Sequence, residues 1–580
     1  MDIYLHQKNN EIGNLEKSTQ HLLSVFHSSS KAGLHLFPEL FLGGYPLQDI
    51  CLQRPFVSRY IQCLNKLQED VPKDTKQYVL FGGLEYKFNS QSEIAHIYNC
   101  IYKLDCKGLK SVYRKRLLPN YDIFDEKKYF SPGTTNSFIN IGGKVFCLFV
   151  CEDMWHSSRH EADPVFSAIE ESKSKKMRVD GVINLSASPF HIGKQATRVR
   201  RCFEISKLFD APFFYVNQIG LNDEILFDGQ SFIACNGEKV VQAESFVEEV
   251  LTHTLSTNPA QRTNCEIKTF NVENTWEALF QANIDKKTRK LRQLGQSDLK
   301  EIVMAQTFAL NEYARKTGMN GFLVALSGGI DSALVLAMAS LASKASGLPL
   351  EAIYMPSQYN SQMSYDLSNE MCHKIGIKLK VINLKFIHQT IKMTFEDGTG
   401  IELKGVADEN IQSRLRGSLI FARSNQTGAM VLNTSNKSEL SVGYSTLYGD
   451  SVGALSILGD LYKTEVYQLA GFINENFDNP IPTGIISRPP TAELRDGQKD
   501  EDNLPPYEVL DLILEGLLSY QFSIEDLTNL GLSKQDLESV INLYTKAEFK
   551  RYQFCPIVKL KSKSFGFGYR NPILKNLSMS

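Results

Sequence analysis

Several groups of residues in this 580-residue chain have the types and spacing to do chemistry. The string Ser327-Gly328-Gly329-Ile330-Asp331-Ser332 follows an apolar run, Phe322–Leu326, and precedes a helical pattern, Ala333–Ser343. Two glycines let the backbone turn tightly and bring successive N–H groups toward a ligand. A helix N-terminus adds orphan N–H donors and the positive end of a dipole, so the string suits a phosphate. Ser327 and Ser332 add hydroxyls. A carboxylate such as Asp331 fits beside phosphates when a Mg²⁺ ion lies between them. A plain strand–turn–helix with a Ser or Asp cap would use the same residues. No GxxxxGK[ST] string occurs, which speaks against a Walker-type phosphate loop.

A second group lies in the first half. Cys151 follows the apolar run Val145–Val150, at the place where an α/β strand presents a side chain to a ligand. Glu39 follows a short apolar run, and Lys115 lies four residues before Pro119. Taken singly, Cys151 is one more packed thiol and the two charges are solvated. Lys115 sits between Arg114 and Arg116, and by composition alone that is a surface run. Taken together, a thiol, an ammonium and a carboxylate can cleave an amide. The ammonium favours thiolate and stabilises an oxyanion, and the carboxylate moves the proton.

These residues need strands and turns to hold them. Gln77–Leu84, Val145–Val150, Val182–Leu185 and Phe213–Asn217 read as strands, and several are apolar throughout, as in sheets covered on both faces. Helical patterns at Ala168–Lys176 and Thr197–Leu208 alternate with them, which makes a layered α/β domain. In the second half Phe322–Leu326, Leu350–Tyr354 and Ala429–Asn433 read as strands, and Tyr507–Ser519 and Ser533–Lys550 as helices. Leu255–Gln261 is turn-rich and Thr275–Lys300 is polar with helical spacing, so the boundary falls near residue 270. The expected division is 1–255, a linker 256–300, and 301–580.

Composition closes off other classes. Net charge is −2, which gives no global field for nucleic acid. No apolar stretch is long enough to cross a bilayer, and the first ten residues lack the apolar core of a signal peptide. The eleven cysteines show no CxxC and no metal spacing, and read as reduced thiols of a cytoplasmic protein.

Longer strings then carry resemblances. SGGIDS is similar to the signature of N-type ATP pyrophosphatases. ENIQSRLR (Glu409–Arg416), NTSNKSEL (Asn433–Leu440), SVGYSTLYGD (Ser441–Asp450), DLYKTEV (Asp460–Val466), PTAEL (Pro490–Leu494) and DNLPPY (Asp502–Tyr507) follow in an order that resembles NAD synthetases. Ser435 stands where that family usually has Gly, at a position that a positive φ would strain. FPELFLGGYPLQD (Phe37–Asp49), YRKRLLPNYDIFDEKKYF (Tyr113–Phe130), CEDMW at Cys151, NLSASPFHIGK (Asn184–Lys194) and YVNQIGLNDEILFDGQS (Tyr215–Ser231) resemble the nitrilase, or carbon–nitrogen hydrolase, superfamily. His6 and Lys8 stand where that superfamily has smaller or apolar residues.

Together the two halves resemble one family, the glutamine-dependent NAD⁺ synthetases. The resemblance implies an N-terminal α-β-β-α sandwich and a C-terminal doubly wound parallel sheet of the adenine nucleotide alpha hydrolase type. It implies a Glu39–Lys115–Cys151 triad supported by Glu126, with Tyr121, Ser188 and Lys194 holding glutamine. In an extended segment Lys115 faces away from Arg114 and Arg116, and Glu39 and Glu126 are its available partners. It implies that Ser327, Gly328, Gly329, Ile330, Asp331, Ser332, Thr434 and Lys463 bind ATP, and Thr491 matches a further ATP-binding position. Asp331 and Glu439 are the implied Mg²⁺ partners. Asn410, Glu439, Tyr444, Ser445, Thr446, Leu447 and Lys550 match positions near deamido-NAD⁺. Glutamine would be hydrolysed in the first half. ATP would adenylate deamido-NAD⁺ in the second, and ammonia, kept neutral away from water, would displace AMP. The family commonly forms homo-oligomers. Another ATP-dependent amidotransferase with a different acceptor, and a non-catalytic scaffold of dead domains, are the alternatives; NKSEL and YSTLYGD speak against the first, and the intact triad and loop against the second.

Overall fold

The computed structural model of the chain describes residues 1–27, 32–155, 161–235, 237–255, 280, 283–285, 290–491, 493–495, 497–498, 500–502 and 504–575. Two compact units divide the chain, Met1–Phe270 and Asn271–Ser580.

The first unit contains β1 (Asp2–Gln7), β2 (Gly33–Leu36), β3 (Gln77–Phe88), β4 (Ile94–Asp105), β5 (Gly108–Arg114), β6 (Phe138–Ile141), β7 (Lys144–Val150), β8 (Gly181–Ser186), β9 (Phe213–Asn217), β10 (Ile219–Asn222), β11 (Ile225–Asp228), β12 (Phe232–Cys235), β13 (Glu238–Gln242) and β14 (Glu249–Thr254). Among the described residues they form two six-stranded sheets, ordered β14-β1-β2-β3-β4-β5 and β13-β12-β9-β8-β7-β6, with β10-β11 as a separate hairpin. The strands β1, β2 and β3 run parallel, as do β7, β8 and β9.

Apolar residues fill both faces of these strands because both faces are covered. Between the sheets, Leu5, Leu36 and Leu80 share one core with Leu148, Ile183 and Phe214. On the far face of the second sheet, Phe149, Val182 and Phe213 pack with Ile169 and Cys202 from the helices Pro164–Ser174 and Lys194–Phe209. The helix Arg54–Asp70 covers the first sheet, and its buried Tyr60 hydroxyl accepts the Leu84 N–H of β3 at 2.6 Å. Each such buried large side chain contributes roughly 1.5–3 kcal/mol. The arrangement is the expected α-β-β-α sandwich.

The second unit holds β15 (Ile284–Asp285), β16 (Lys290–Leu291), β17 (Phe322–Ala325), β18 (Leu350–Tyr354), β19 (Leu379–Val381), β20 (Met430–Asn433) and β21 (Leu455–Ser456). Its main sheet is ordered β19-β18-β17-β20-β21, and every pairing in it is parallel. The chain leaves β17 toward β18 and β19, then returns to β20 on the other side. That reversal puts a crevice at the carboxyl ends of β17 and β20. The helix Ile330–Ser346 packs on the helices Gln296–Thr317 and Lys463–Asn476. Ile420 of the helix Val406–Thr427 packs with Leu323, Ile353 and Val431. The sheet is therefore doubly wound. Helices Tyr507–Ser519 and Lys534–Lys546 build a further core from Leu510, Ile513, Leu537 and Val540.

Some boundaries differ from the sequence reading. The helical spacing assigned to Thr275–Lys300 does not make one helix: its described part contains the strand pair β15-β16, and a helix begins only at Gln296, after Gly295. Ile284 is drawn into the core beside the 507–519 helix, and Leu291 packs against it, which favours pairing over a solvated helix. The remainder of that stretch, and residues 256–261 of the turn-rich run, lie outside the described residues. Ser533–Lys550 is two helices, Lys534–Lys546 and Glu548–Arg551, hinged at Ala547. The helix after SGG starts at Ile330, three residues earlier than expected, which places Asp331 and Ser332 in its first turn. Among the described residues no helix is long and apolar enough to cross a membrane.

Candidate active sites

In the first unit, β5 ends at Arg114 and delivers Lys115 inward. Arg114 pairs with Glu85 at 2.8 and 2.9 Å, and Arg116 donates to Asn136, while the Lys115 side chain is fully buried. The surface reading of Lys115 by composition is therefore corrected: strand alternation sends the neighbours outward and Lys115 inward. Its ammonium donates to Glu39 Oε1 and to Glu126 Oε1, both at 2.7 Å. Burial pulls the Lys115 ammonium down, but Glu126 and Glu39 outweigh it and hold it well above its ordinary value. Burial also pushes Glu126 up to about 7 against the pull of Lys115, with Glu39 adding to the rise. Two carboxylates share one ammonium, so the trio stays a proton short of easy neutrality.

Glu39 is held from all sides. Asn99 Nδ2 donates to Oε1 at 2.7 Å, and the Ala187 N–H donates to Oε2 at 2.9 Å. Tyr45 donates its hydroxyl to Glu126 at 2.9 Å. These bonds fix the carboxylates without neutralising them.

Cys151 begins a short 3₁₀ turn after β7 and has φ +40°. A non-glycine residue in that region is strained and is kept there by its surroundings. The strand β7 is apolar on both faces, so a one-residue slip would bury as much apolar area as before; hydrophobicity alone does not place Cys151. Directional bonds do. Asn184 on β8 accepts the Cys151 N–H at 3.0 Å and donates to its carbonyl at 3.3 Å. Asp153 accepts the N–H groups of Val150, Arg116 and Leu117 and the Tyr113 hydroxyl, all within 2.8–3.0 Å. It thereby ties the end of β5 to the cysteine turn. Burial pushes the Cys151 thiol well above its usual value, Glu39 pushes further, and Lys115 pulls back.

The expected glutamine contacts gather around the same turn. Tyr121 donates to Glu152 Oε1 at 2.9 Å. Ser188 accepts a bond from the fully buried Arg198, which is paired with Asp228 at 2.7 Å. Lys194 donates to the Pro189 carbonyl at 2.8 Å. Burial and then Arg198 pull the Lys194 ammonium down to about 8, while Cys151 pulls it up.

In the second unit a cavity of about 240 Å³ opens at the carboxyl ends of β17 and β20. Ser327, Gly329, Asp331 and Ser332 line it, with Thr434 and Lys463 opposite. Ser327 and Ser332 hydroxyls lie 3.0 Å apart, and Gly329 N–H donates to Ser327 Oγ at 3.2 Å. Gly328 has φ +82°, and a Cβ there would meet the Ser364 carbonyl at 2.7 Å, so only glycine fits.

Lys463 is buried and reaches Asp331 at 2.5 Å and Glu439 at 3.4 Å. Asn436 donates to the other Asp331 oxygen at 2.9 Å. Burial pulls Lys463 down, and Asp331 and Glu439 overcome it and hold it above its ordinary value. Burial pushes Glu439 up to about 8 despite Lys463, with Asp331 and Asp500 adding to the rise. Asp500 was missed by the sequence reading; it lines the cavity, and its Oδ1 is buried without a partner. Three carboxylates thus face one ammonium. Among the described residues no ready-made cluster of His, Cys, Asp and Glu has metal-site spacing.

Of the positions matched to deamido-NAD⁺, Tyr444 and Glu439 line this cavity. The others hold the loop after them. Thr446 donates to Asn410 at 2.7 Å, and Lys550 donates to the carbonyls of Gly443 and Ser445 at 2.7 and 2.6 Å. The Leu447 carbonyl accepts from Arg414 at 3.2 Å. Thr491 also lines the cavity and donates to the Gln498 carbonyl at 2.6 Å. Ser435 is not among the residues of left-handed φ, so Ser in place of Gly carries no backbone strain there.

The sequence reading also missed Asn99, Asn184, Asp153 and Asp228. Asn184, Asp153 and Asp228 stand inside the family-like strings NLSASPF, CEDMW and YVNQIGLNDEILFDGQS, which is the available signal.

Comparison with known proteins follows the same division. Residues 5–159 match the Carbon-nitrogen hydrolase family, and residues 302–554 match NAD synthase. The chain is 35% identical over 577 residues to the glutamine-dependent NAD(+) synthetase of Acinetobacter baylyi, covering 99% of this chain and 98% of that one. It is 33% identical to that of Aquifex aeolicus, with 99% of each covered. Among solved structures it is similar to a glutamine-dependent NAD⁺ synthetase from Acinetobacter baumannii in complex with ADP, at 30% identity and TM-score 0.69, covering 99% and 98%. A glutamine-dependent NAD(+) synthetase from Cytophaga hutchinsonii shares the fold at 20% identity and TM-score 0.78, with the same coverage.

Proposed function

This chain belongs to the glutamine-dependent NAD⁺ synthetases, and we propose from that premise which residues carry each half of the reaction. The enzyme is an ATP-dependent ligase that amidates deamido-NAD⁺ with ammonia taken from glutamine. The observation that carries the residue assignment is the buried Lys115 ammonium, bonded at 2.7 Å to both Glu39 and Glu126 in the unit that holds the strained Cys151.

Burial pushes the Cys151 thiol up, so its attack calls for a base. Glu39 therefore takes the thiol proton as the sulfur attacks the glutamine amide carbon. Lys115 faces the developing oxyanion. Collapse releases ammonia, which receives the proton from Glu39, and leaves a thioester on Cys151. Glu39 then removes a proton from water as it attacks the thioester, and returns that proton to the departing Cys151 sulfur as glutamate is freed. Tyr121, Ser188 and Lys194 hold the amino acid end of glutamine; a lysine drawn down to about 8 pairs readily with a carboxylate.

In the second unit the Ser327–Ser332 loop and Lys463 hold the ATP phosphates, with Thr434 beside them. The deamido-NAD⁺ carboxylate attacks the α-phosphorus, diphosphate leaves, and ammonia displaces AMP from the acyl carbon. Asp331 and Glu439 would hold Mg²⁺ together with ATP, since among the described residues the protein presents no set of three such ligands by itself. These hard oxygen donors, their surplus of negative charge and the unpartnered Asp500 oxygen fit a divalent cation. When bound, Mg²⁺ supplies neutralisation of phosphate charge. Asn410, Tyr444–Leu447 and Lys550 shape the deamido-NAD⁺ end. Assembly into a homo-oligomer, action in the cytoplasm, and no nucleic-acid or membrane partner complete the reading.

The test is direct. The protein is incubated with deamido-NAD⁺, ATP, Mg²⁺ and either glutamine or ammonium. NAD⁺ and AMP form with both donors, and glutamate forms only with glutamine. Amidation of a different carboxylate in preference to deamido-NAD⁺ would point to the alternative amidotransferase.

A further inference from the structure

Within its own segment the helix Lys463–Asn476 is capped only by Glu465, which accepts the Tyr462 N–H at 2.8 Å. Its N-cap residue, Tyr462, offers no side-chain bond to the first turn, and the leading N–H groups of a helix have no partner inside it. Two residues from elsewhere serve them. Ser438 Oγ accepts the Lys463 N–H at 2.9 Å. Asp511 accepts the Thr464 N–H at 3.0 Å and the Thr464 hydroxyl at 2.8 Å. The Ser438 hydroxyl itself donates to the other Asp511 oxygen at 2.5 Å. Asp511 lies on the helix Tyr507–Ser519 and is fully buried.

Ser438 is the residue before Glu439, and Thr464 is the residue after Lys463. One carboxylate therefore grips the first turns of the two segments that carry Glu439 and Lys463. The helix Lys437–Val442 and the helix Lys463–Asn476 come from strand ends 20 residues or more apart in sequence, so no local turn fixes their spacing. Local capping would need only a Ser, Thr, Asp or Asn at position 462. The bonds seen instead span 73 residues to Ser438 and 47 to Thr464.

We infer that Asp511 is a positioning residue for the synthetase reaction: its carboxylate locks the two helix N-termini together and so sets Lys463 and Glu439 at one spacing in the cavity wall. The inference rests on the reading of Lys463 as an ATP contact. Burial raises Asp511 to about 7 while Ser438 and Thr464 pull it down, in keeping with a carboxylate whose charge the two helix ends must support.

Asp511→Asn conserves volume but gives the position one acceptor and one donor face. Either Ser438 or Thr464 then loses its acceptor. With ammonium as the nitrogen donor, kcat/KM for ATP is expected to fall about tenfold to a hundredfold, the scale set by displacements of about 1 Å at a reacting group. Ser438→Ala removes the same link from the other side, and the two losses should not add in the double variant. Thr464→Ser keeps both donors and should stay within about twofold of the parent. Lys463→Ala is measured beside them as the test of the site itself. Impaired Lys463→Ala with parental Asp511→Asn and Ser438→Ala overturns the clamp and leaves the site standing. Parental Lys463→Ala overturns the site reading, and the clamp falls with it. Losses that add, or an equal loss of ATP-independent glutamate release, mark general destabilisation and also overturn the inference. If Asp511→Asn does not fold, Ser438→Ala and Thr464→Ser decide the matter.

Discussion

Replacing Lys115 by Ala tests the glutaminase reading where the structure is most committed. The variant loses an ammonium that donates to Glu39 and Glu126 at 2.7 Å each, and whose side chain is wholly buried. Breaking a buried ion pair by removing one partner costs about 3–5 kcal/mol. Part of that is relieved because Glu126, already raised to about 7, takes up a proton once Lys115 is gone. A carboxyl whose folded pKa lies above its unfolded value binds protons on folding. The variant is therefore closest to the parent in stability at low pH and falls further behind as pH rises past about 7. Catalysis suffers separately: losing the oxyanion contact and the orientation of Glu39 should lower glutamate release about 10³-fold or more, since proton transfer contributes 10²–10⁴ and one oxyanion donor about 10²–10³. Glutamate is measured with ATP and deamido-NAD⁺ saturating, alongside NAD⁺ formation from ammonium to show the second unit intact. Arg116→Ala, whose partner is Asn136, should lose little. Lys115→Arg should fail as well, because a planar guanidinium does not fit between two carboxylates spaced for an ammonium. Glutamate release near the parental rate in Lys115→Ala would refute the triad.

Cys151→Ala should abolish NAD⁺ formation from glutamine and spare it from ammonium; equal loss with both donors would sink the two-site division. Asp331→Asn should weaken synthesis from either donor several-fold or more and raise the Mg²⁺ needed for half-maximal rate, each 1.4 kcal/mol being about tenfold; an unchanged Mg²⁺ requirement would leave Asp331 as a helix cap. The third concerns acid. His6 and His35 meet at 2.9 Å inside the first sheet, and burial pulls His35 down to about 4. A histidine whose folded pKa is depressed gives stability that is full above about 6.5 and lost as pH falls toward 4, here about 3 kcal/mol. His35→Gln should flatten that acid limb in a melting series; an unchanged slope would assign it elsewhere.

Much of the scaffold could be read from the sequence, and for a physical reason. Phe213–Asn217 has the expected bounds because it is buried on both faces and apolar up to its last residue, and Leu350–Tyr354 has them although Glu351 interrupts its apolar run. Thr275–Lys300 misled because its polar spacing suits a solvated helix, whereas Ile284 and Leu291 are claimed by a core built mostly from residues more than 200 positions later. Lys115 is the sharper case: composition puts it among surface charges, and only the pairing of β5 with β4 turns it inward. Asn99 and Asp511 left no local trace. Each is a polar residue in an otherwise ordinary strand or helix, and its meaning comes from partners 60 and 73 positions away.

The raised Cys151 thiol has a consequence beyond amide hydrolysis. Peroxides and soft electrophiles attack thiolates, and oxidation through sulfenic to sulfinic acid follows thiolate character and exposure. A sulfur that is buried, and whose thiol burial and Glu39 push up, offers such reagents less in the resting enzyme than an exposed thiolate would. On the proposed reading of Glu39 as the base, the burial that calls for it also acts as protection. Oxidative damage to this nucleophile should track turnover rather than the mere presence of the oxidant.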